Sequence, residues 1–206
     1  PLHEFIPEPE PLMMDVFEMR GQGATDEALA LKGALLRRVL SHKEVNPMLG
    51  LRGVRLAILR PELVRMQTSA IFEAACETVE KNIPVKPEVL VPLVSHVNEF
   101  LFVKKIIDET AAEVMRAREK NIAYTVGILI EIPRAALTAA ELAKHADFFS
   151  FGTNDLTQTT FGLSRDDSEH KFLLNYLNQR ILDENPFQTL DPDGVGRLSL
   201  IHISEP

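Results

Sequence analysis

Apolar residues recur in this chain with two different spacings. From Asp26 to Ser41 (DEALALKGALLRRVLS) they fall every three to four residues behind two acidic residues, which predicts a surface helix. The same spacing from Pro61 to Lys81 (PELVRMQTSAIFEAACETVEK), opened by a proline in the first turn, predicts a long amphipathic helix, and Asn98 to Lys120 predicts another. Between these lie short runs that are apolar at nearly every position: VLVPLV (89–94), YTVGILIEIP (124–133) and DFFSFGTND (147–155). They read as strands, and a further helix is expected from Leu137 to His145. Residues 1–23 read as irregular, and Asn46 to Ile58 (NPMLGLRGVRLAI) as a turn punctuated by proline and glycine.

Strands that are apolar throughout, instead of alternating, are what parallel strands covered on both faces require. Their alternation with helices makes the chain α/β. A doubly wound sheet and a (β/α)8 barrel both accommodate this order, and a barrel would need more strands than are visible here. With 206 residues and 45% hydrophobic content, the chain is long enough to bury one sizeable core. It starts at Pro1 without methionine, with three prolines among its first ten residues, and so reads as a piece of something longer.

Charge and cysteine usage narrow the possible partners. The net charge of −8 is spread along the chain without a basic stripe, so nucleic acid is not an expected partner. No apolar run approaches the roughly 18 residues of a membrane span, and the start has no secretory pattern, so neither a membrane nor export is expected. The single cysteine, Cys76, excludes an internal disulfide framework and fits a reducing, cytoplasmic setting, with its thiol in a helix core. The histidines show no metal-ligand spacing and read as surface or helix-end residues.

Two carboxylates stand where α/β folds collect their active sites: Glu131 closes VGILIE and Asp155 closes FFSFGTN. Convergent carboxylates are a seat for Mg²⁺, which takes oxygen ligands and leaves positions for water and substrate. The plainer alternative is that Glu131 caps a strand and Asp155 a helix start. Arg165 follows after a stretch long enough to fold back over the strand end, where a guanidinium holds phosphate or carboxylate bidentately. Otherwise it is an exposed arginine paired with Asp166 or Asp167. Arg52 and Arg55, in a glycine-flanked turn, pose the same choice between anion contact and solvation.

The segment from Asp147 to Arg165 (DFFSFGTNDLTQTTFGLSR) resembles the signature of the phosphoenolpyruvate-utilising enzymes. NPMLGLRGVRL (46–56), MQTSAIFEAA (66–75), VLVPLV and VGILIEIPRAAL (126–137) resemble its companions in the same order. The likeness runs from Pro1 to about Leu198. Leu51 and Val54 depart from the histidine and cysteine common in the arginine motif.

That resemblance implies a partial (β/α)8 barrel, truncated at both ends, in which pyruvate and phosphoenolpyruvate interconvert. Phosphoryl would be exchanged with a phosphohistidine on a separate domain of the full-length chain. It implies Mg²⁺ held by Glu131 and Asp155, substrate oxygens met by Asn154 and the backbone of Gly152 and Thr153, and phosphoryl clamped by Arg52 and Arg165. Details favour the member that turns ATP, phosphate and pyruvate into AMP, diphosphate and phosphoenolpyruvate over phosphoenolpyruvate synthase and the sugar-phosphotransferase enzyme I. The family's proton-donor cysteine and phosphohistidine have no counterpart in these residues, so the isolated segment is expected to be inactive. The intact protein is expected to be a homodimer. SLIHISEP (199–206) reads as a foreign or misassembled tail, outside the barrel domain of residues 1–198.

Overall fold

In the computed structural model of the chain, residues 6–44 and 46–204 are described, with side chains to residue 200. His3 and the last two residues of the suspected tail lie outside them. The chain divides into two compact units, residues 1–52 and 53–206.

The first unit pairs two helices, α1 (Pro9–Gly21) and α2 (Asp26–His42). The segment expected to be irregular thus contains α1. Its Pro9 fills the first turn, where no backbone N–H is needed, so the prolines start a helix instead of preventing one. Thr25 caps α2 by accepting from Ala28 N–H at 3.3 Å, and Lys32 meets Asp15 at 2.6 Å across the pair. A 3-10 turn at Pro47–Leu49 follows, capped by Asn46, whose Oδ1 accepts from Leu49 N–H.

The second unit runs α3 (Gly53–Leu59), α4 (Pro61–Glu80), β1 (Glu88–Val91), α5 (Val97–Ala117), β2 (Thr125–Ile130), α6 (Pro133–Leu137), α7 (Ala139–Ala143) and β3 (Phe149–Phe151). Next come α8 (Thr153–Phe161), α9 (Arg165–Lys171), α10 (Leu173–Asn178), a π turn at Pro192–Gly196 and α11 (Arg197–Ser204). The strands form one parallel sheet in the order β1-β2-β3, with Leu90 opposite Gly127 and Ile128 opposite Phe149. The α/β class with parallel strands is therefore the architecture observed.

Its core has two clusters. Val126, Ile128 and Ile130 of β2 pack with Phe100, Val103 and Ile107 of α5 and with Ala135 and Ala136 of α6. Farther along, Phe72, Ala75 and Cys76 of α4 pack on Ala111 and Val114 of α5. Burial raises the Cys76 thiol above its ordinary pKa, an effect that nearby Glu73 reinforces. The long helices are locally encoded. His96 Nδ1 accepts from Asn98 N–H at 3.1 Å, while Glu99 accepts from His96 N–H at 2.9 Å, a reciprocal cap for α5.

The strands are shorter than their apolar runs. β1 stops at Val91 because Pro92 has no N–H and its carbonyl accepts from Val54 N–H at 3.0 Å. Glu88 and Leu90 are exposed, so the expectation that both faces are covered fails at β1, the edge of this sheet. The helix expected at 137–145 is the shorter α7 (Ala139–Ala143), and a separate short helix, α6, precedes it and meets it at Thr138. DFFSFGTND supplies only three strand residues, and its Thr-Asn-Asp opens α8. Asp155 accordingly stands in the first turn of a helix, not at a strand end.

Candidate functional site

Glu131 follows the last residue of β2 and is 5% exposed, which makes it a buried carboxylate at the carboxyl end of a parallel sheet. Its Oε1 accepts from the N–H of Leu93, just beyond β1, at 2.7 Å. Leu93 achieves this with a left-handed backbone, φ 60°, an arrangement that disfavours a side chain with a Cβ and persists only where its surroundings enforce it. Gly53 is part of that enforcement. It has φ 54°, and a Cβ there would stand 2.8 Å from the Leu93 Cβ and 3.1 Å from the Pro92 carbonyl oxygen.

On its other side Glu131 meets Gly152. A Cβ at Gly152 would come within 2.7 Å of Glu131 Oε2 and 2.8 Å of its Cβ, so only glycine lets the β3–α8 junction lie against the carboxylate. Gly152 N–H donates to the Ile130 carbonyl at 3.0 Å, which ties the junction to the end of β2. All three strand ends thus bear on Glu131.

α8 starts at Thr153 and carries exposed Thr153 and Asn154 and half-buried Asp155 in its first turn, where negative charge is favoured by the helix amides. Gln158 Nε2 donates to Asp155 Oδ1 at 3.1 Å, and Gln158 Oε1 accepts from Arg165 N–H at 2.9 Å. Gly162, left-handed at φ 66°, ends α8 and returns the chain toward Arg165. The Arg165 guanidinium lies 3.5 Å from Asn154 Oδ1, 3.6 Å from Glu169 Oε1 and 5.8 Å above the centre of the Phe187 ring. Its ion-pair partner is therefore Glu169, one helical turn on, instead of the anticipated Asp166 or Asp167; Asp167 binds Lys171 at 2.5 Å.

Of the residues singled out in the sequence, the fold brings Glu131 and Gly152 into contact, with Thr153, Asn154 and Asp155 next in the chain and Arg165 returning to Asn154. Arg52 belongs to the first unit, where it is half-buried with Nη1 3.2 Å from Met48 Sδ. Sequence reasoning missed Leu93, Gln158 and Phe187. Gln158 carries a readable signal, since it lies three residues beyond Asp155 and shares a helix face with it. Nothing in a leucine announces a left-handed backbone, and Phe187 reaches Arg165 only through the folded loop.

Among the described residues no group of three or more His, Cys, Asp or Glu side chains gathers to hold a metal by itself. The donor set still suits Mg²⁺, which is commonly bound through one or two carboxylates, with waters and substrate oxygens completing its shell. Glu131 offers a buried carboxylate whose orientation is set from both sides, and Gln158 orients that of Asp155.

Residues 23–188 match the family described as PEP-utilising enzyme, PEP-binding domain. The chain is 44% identical over 206 residues to a pyruvate, phosphate dikinase of Entamoeba histolytica, covering 100% of this chain and 23% of the relative. It is 50% identical over 200 residues to the chloroplastic pyruvate, phosphate dikinase 1 of Oryza sativa, covering 96% of this chain and 20% of that protein. With the pyruvate, phosphate dikinase of Clostridium symbiosum it shares 46% identity over 199 residues, 96% of this chain and 22% of the relative. The chain spans about a fifth of the length of these relatives.

Proposed function

The chain belongs to the PEP-utilising enzymes through their PEP-binding domain, and from that membership we propose that it forms the pyruvate and phosphoenolpyruvate site of a pyruvate, phosphate dikinase. The full-length protein would interconvert ATP, phosphate and pyruvate with AMP, diphosphate and phosphoenolpyruvate, through a phosphohistidine on another domain of the same chain. The parallel sheet would be part of a (β/α)8 barrel, and the intact protein a cytoplasmic homodimer. The observation that supports the reading is the carboxylate of Glu131, buried at the meeting of three strand ends and aimed by Leu93 N–H and Gly152.

Glu131 and Asp155 would hold Mg²⁺. When bound, it supplies Lewis-acid stabilisation of negative charge developing on a pyruvate oxygen. The protein's own contribution is placement. Leu93 and Gly152 keep the Glu131 carboxylate from turning, so little reorganisation is needed as charge develops. Asn154 and the first backbone amide of α8, at Thr153, would donate to substrate oxygens, whereas the Gly152 N–H, anticipated as a further donor, is already committed to the Ile130 carbonyl. Arg165, braced by Glu169 and Phe187, would hold the phosphoryl group, whose transfer depends chiefly on positioning and charge stabilisation.

The test is calorimetric titration of the purified full-length protein with oxalate, a planar mimic of pyruvate enolate, with and without Mg²⁺. Saturable binding that requires Mg²⁺ and is lost in both Glu131→Gln and Asp155→Asn is the expected result. Binding indifferent to both substitutions overturns the metal assignment.

A further inference from the structure

We propose that Gln158 is a positioning residue that locks Asp155 and the Arg165 turn into one unit, and that this lock sets the site's preference for Mg²⁺ over larger divalent cations. The inference rests on the assignment of Asp155 as a metal ligand.

The chemistry of its two partners fixes which way the Gln158 amide faces. Arg165 N–H can only donate, so the atom 2.9 Å away is the amide oxygen; the Asp155 carboxylate can only accept, so the atom 3.1 Å away is the amide nitrogen. Neither partner tolerates the reverse orientation. The backbone of the same residue adds a third tie, because Leu163 N–H donates to the Gln158 carbonyl at 2.9 Å. A single residue of α8 therefore grips the returning loop through main chain and side chain while holding one oxygen of Asp155.

Both ends of this bridge matter to the site. Asp155 Oδ1 is tethered one helical turn from its own backbone, which limits rotation of the carboxylate plane. At the other end the anchored backbone presents a guanidinium that returns to Asn154, the neighbour of Asp155 in the same turn, and is braced by Glu169 and Phe187. Asn would be a methylene too short to span this separation, and Glu would set a second carboxylate against Asp155. A glutamine meets both requirements.

Cation size makes the role measurable. Mg²⁺ demands near-ideal octahedral geometry, whereas Ca²⁺ accepts varied ligand numbers and angles. Releasing Asp155 from its tether should therefore weaken Mg²⁺ far more than Ca²⁺. Removal of a group that orients a metal ligand typically costs ~10-fold or more in affinity.

The experiment titrates the purified full-length protein with Mg²⁺ and, separately, Ca²⁺ at a fixed pyruvate concentration, for wild type, Gln158→Met and Asp155→Asn. Gln158→Ala is a second variant that adds no bulk, and thermal unfolding verifies that each protein is folded. The expected result is about a tenfold loss of Mg²⁺ affinity in both Gln158 variants, with Ca²⁺ affinity changed less than about threefold. Equal losses for both cations would show general disruption and overturn the inference, as would no loss for either. If Asp155→Asn leaves both affinities at the wild-type value, the metal assignment itself fails and the inference falls with it.

Discussion

At the start of the sheet Val126 N–H donates to Asp147 Oδ2 at 2.7 Å, and past its carboxyl end Leu93 N–H donates to Glu131 Oε1 at the same 2.7 Å. The two bonds have the same chemistry, yet their settings differ. Asp147 is exposed, and Asp147 N–H also donates to the Val126 carbonyl at 3.0 Å, so the pair closes the β2–β3 ladder. Around it Tyr124 hydroxyl donates to Asp108 at 2.8 Å and the Tyr124 ring meets Phe72 edge-on. At the other end the carboxylate is buried, its donor has a left-handed backbone, and the adjoining junction admits only glycine. One end uses a carboxylate to complete a sheet; the other spends conformational freedom to hold a charge in place, as expected where binding is organised.

The largest effect that would sharpen this contrast is on stability. Phe72→Ala, at a fully buried ring, should cost about 3–5 kcal/mol in chemical unfolding while Mg²⁺-dependent oxalate binding per folded molecule stays near wild type. A parallel collapse of binding in folded protein would mean that the two ends are coupled. Glu131→Gln should act in reverse. Its amide oxygen still accepts from Leu93 N–H, so the unfolding midpoint should barely move while Mg²⁺-dependent oxalate affinity falls at least about 100-fold, roughly 2.7 kcal/mol.

Asp147→Ala removes the matching bond at the other end and should lower stability by about 1 kcal/mol without changing oxalate affinity. Tyr124→Phe should cost about the same near neutral pH, by loss of its hydrogen bond to Asp108. Its pH dependence gives a separate check. Burial, then the hydrogen bond to Asp108 and the charges of Asp108 and Asp147, raise the Tyr124 pKa well above the ordinary value of 10.0. The folded state therefore retains a proton that the unfolded chain releases, and stability falls as pH rises above about 10. Melting curves at pH 9 and 11 should show a smaller alkaline loss in Tyr124→Phe; equal losses would remove Tyr124 from the account. The smallest effect is at Cys76, which is fully buried and has a raised thiol pKa: a thiol reagent should leave the native protein unlabelled and modify it on denaturation.

The two long helices of the second unit were legible to within a few residues, because amphipathic spacing, Pro61 and the Glu99 cap act locally. Errors fell where local signals compete. Prolines among the first residues suggested irregular chain although Pro9 starts α1, and the apolar DFFSF run hid the change from strand to helix after Gly152. Glu131 was legible as a strand-end carboxylate, and for Asp155 the alternative of a helix start, carried by its Asn-Asp-Leu-Thr context, is the setting observed. The arginine pair also differed: Arg165 with Glu169 follows from a helix that begins at Arg165, which adjacent aspartates in sequence do not reveal.

The alternation of long helices and strands from α4 to β3, the parallel character of the sheet and the two carboxylates with an arginine after them were determined by the sequence itself, since periodicity, caps and apolar runs act over a few residues. Only the tertiary structure decided that Leu93 turns its N–H onto Glu131, that Gly152 lies against that carboxylate, that Gln158 joins Asp155 to Arg165 and that Phe187 backs the guanidinium. Those meetings depend on strand register and on where a loop returns after Gly162. Apart from the three-residue spacing of Gln158 and Asp155, such geometry is set by packing between separate parts of the chain, which a local stretch of residues does not encode.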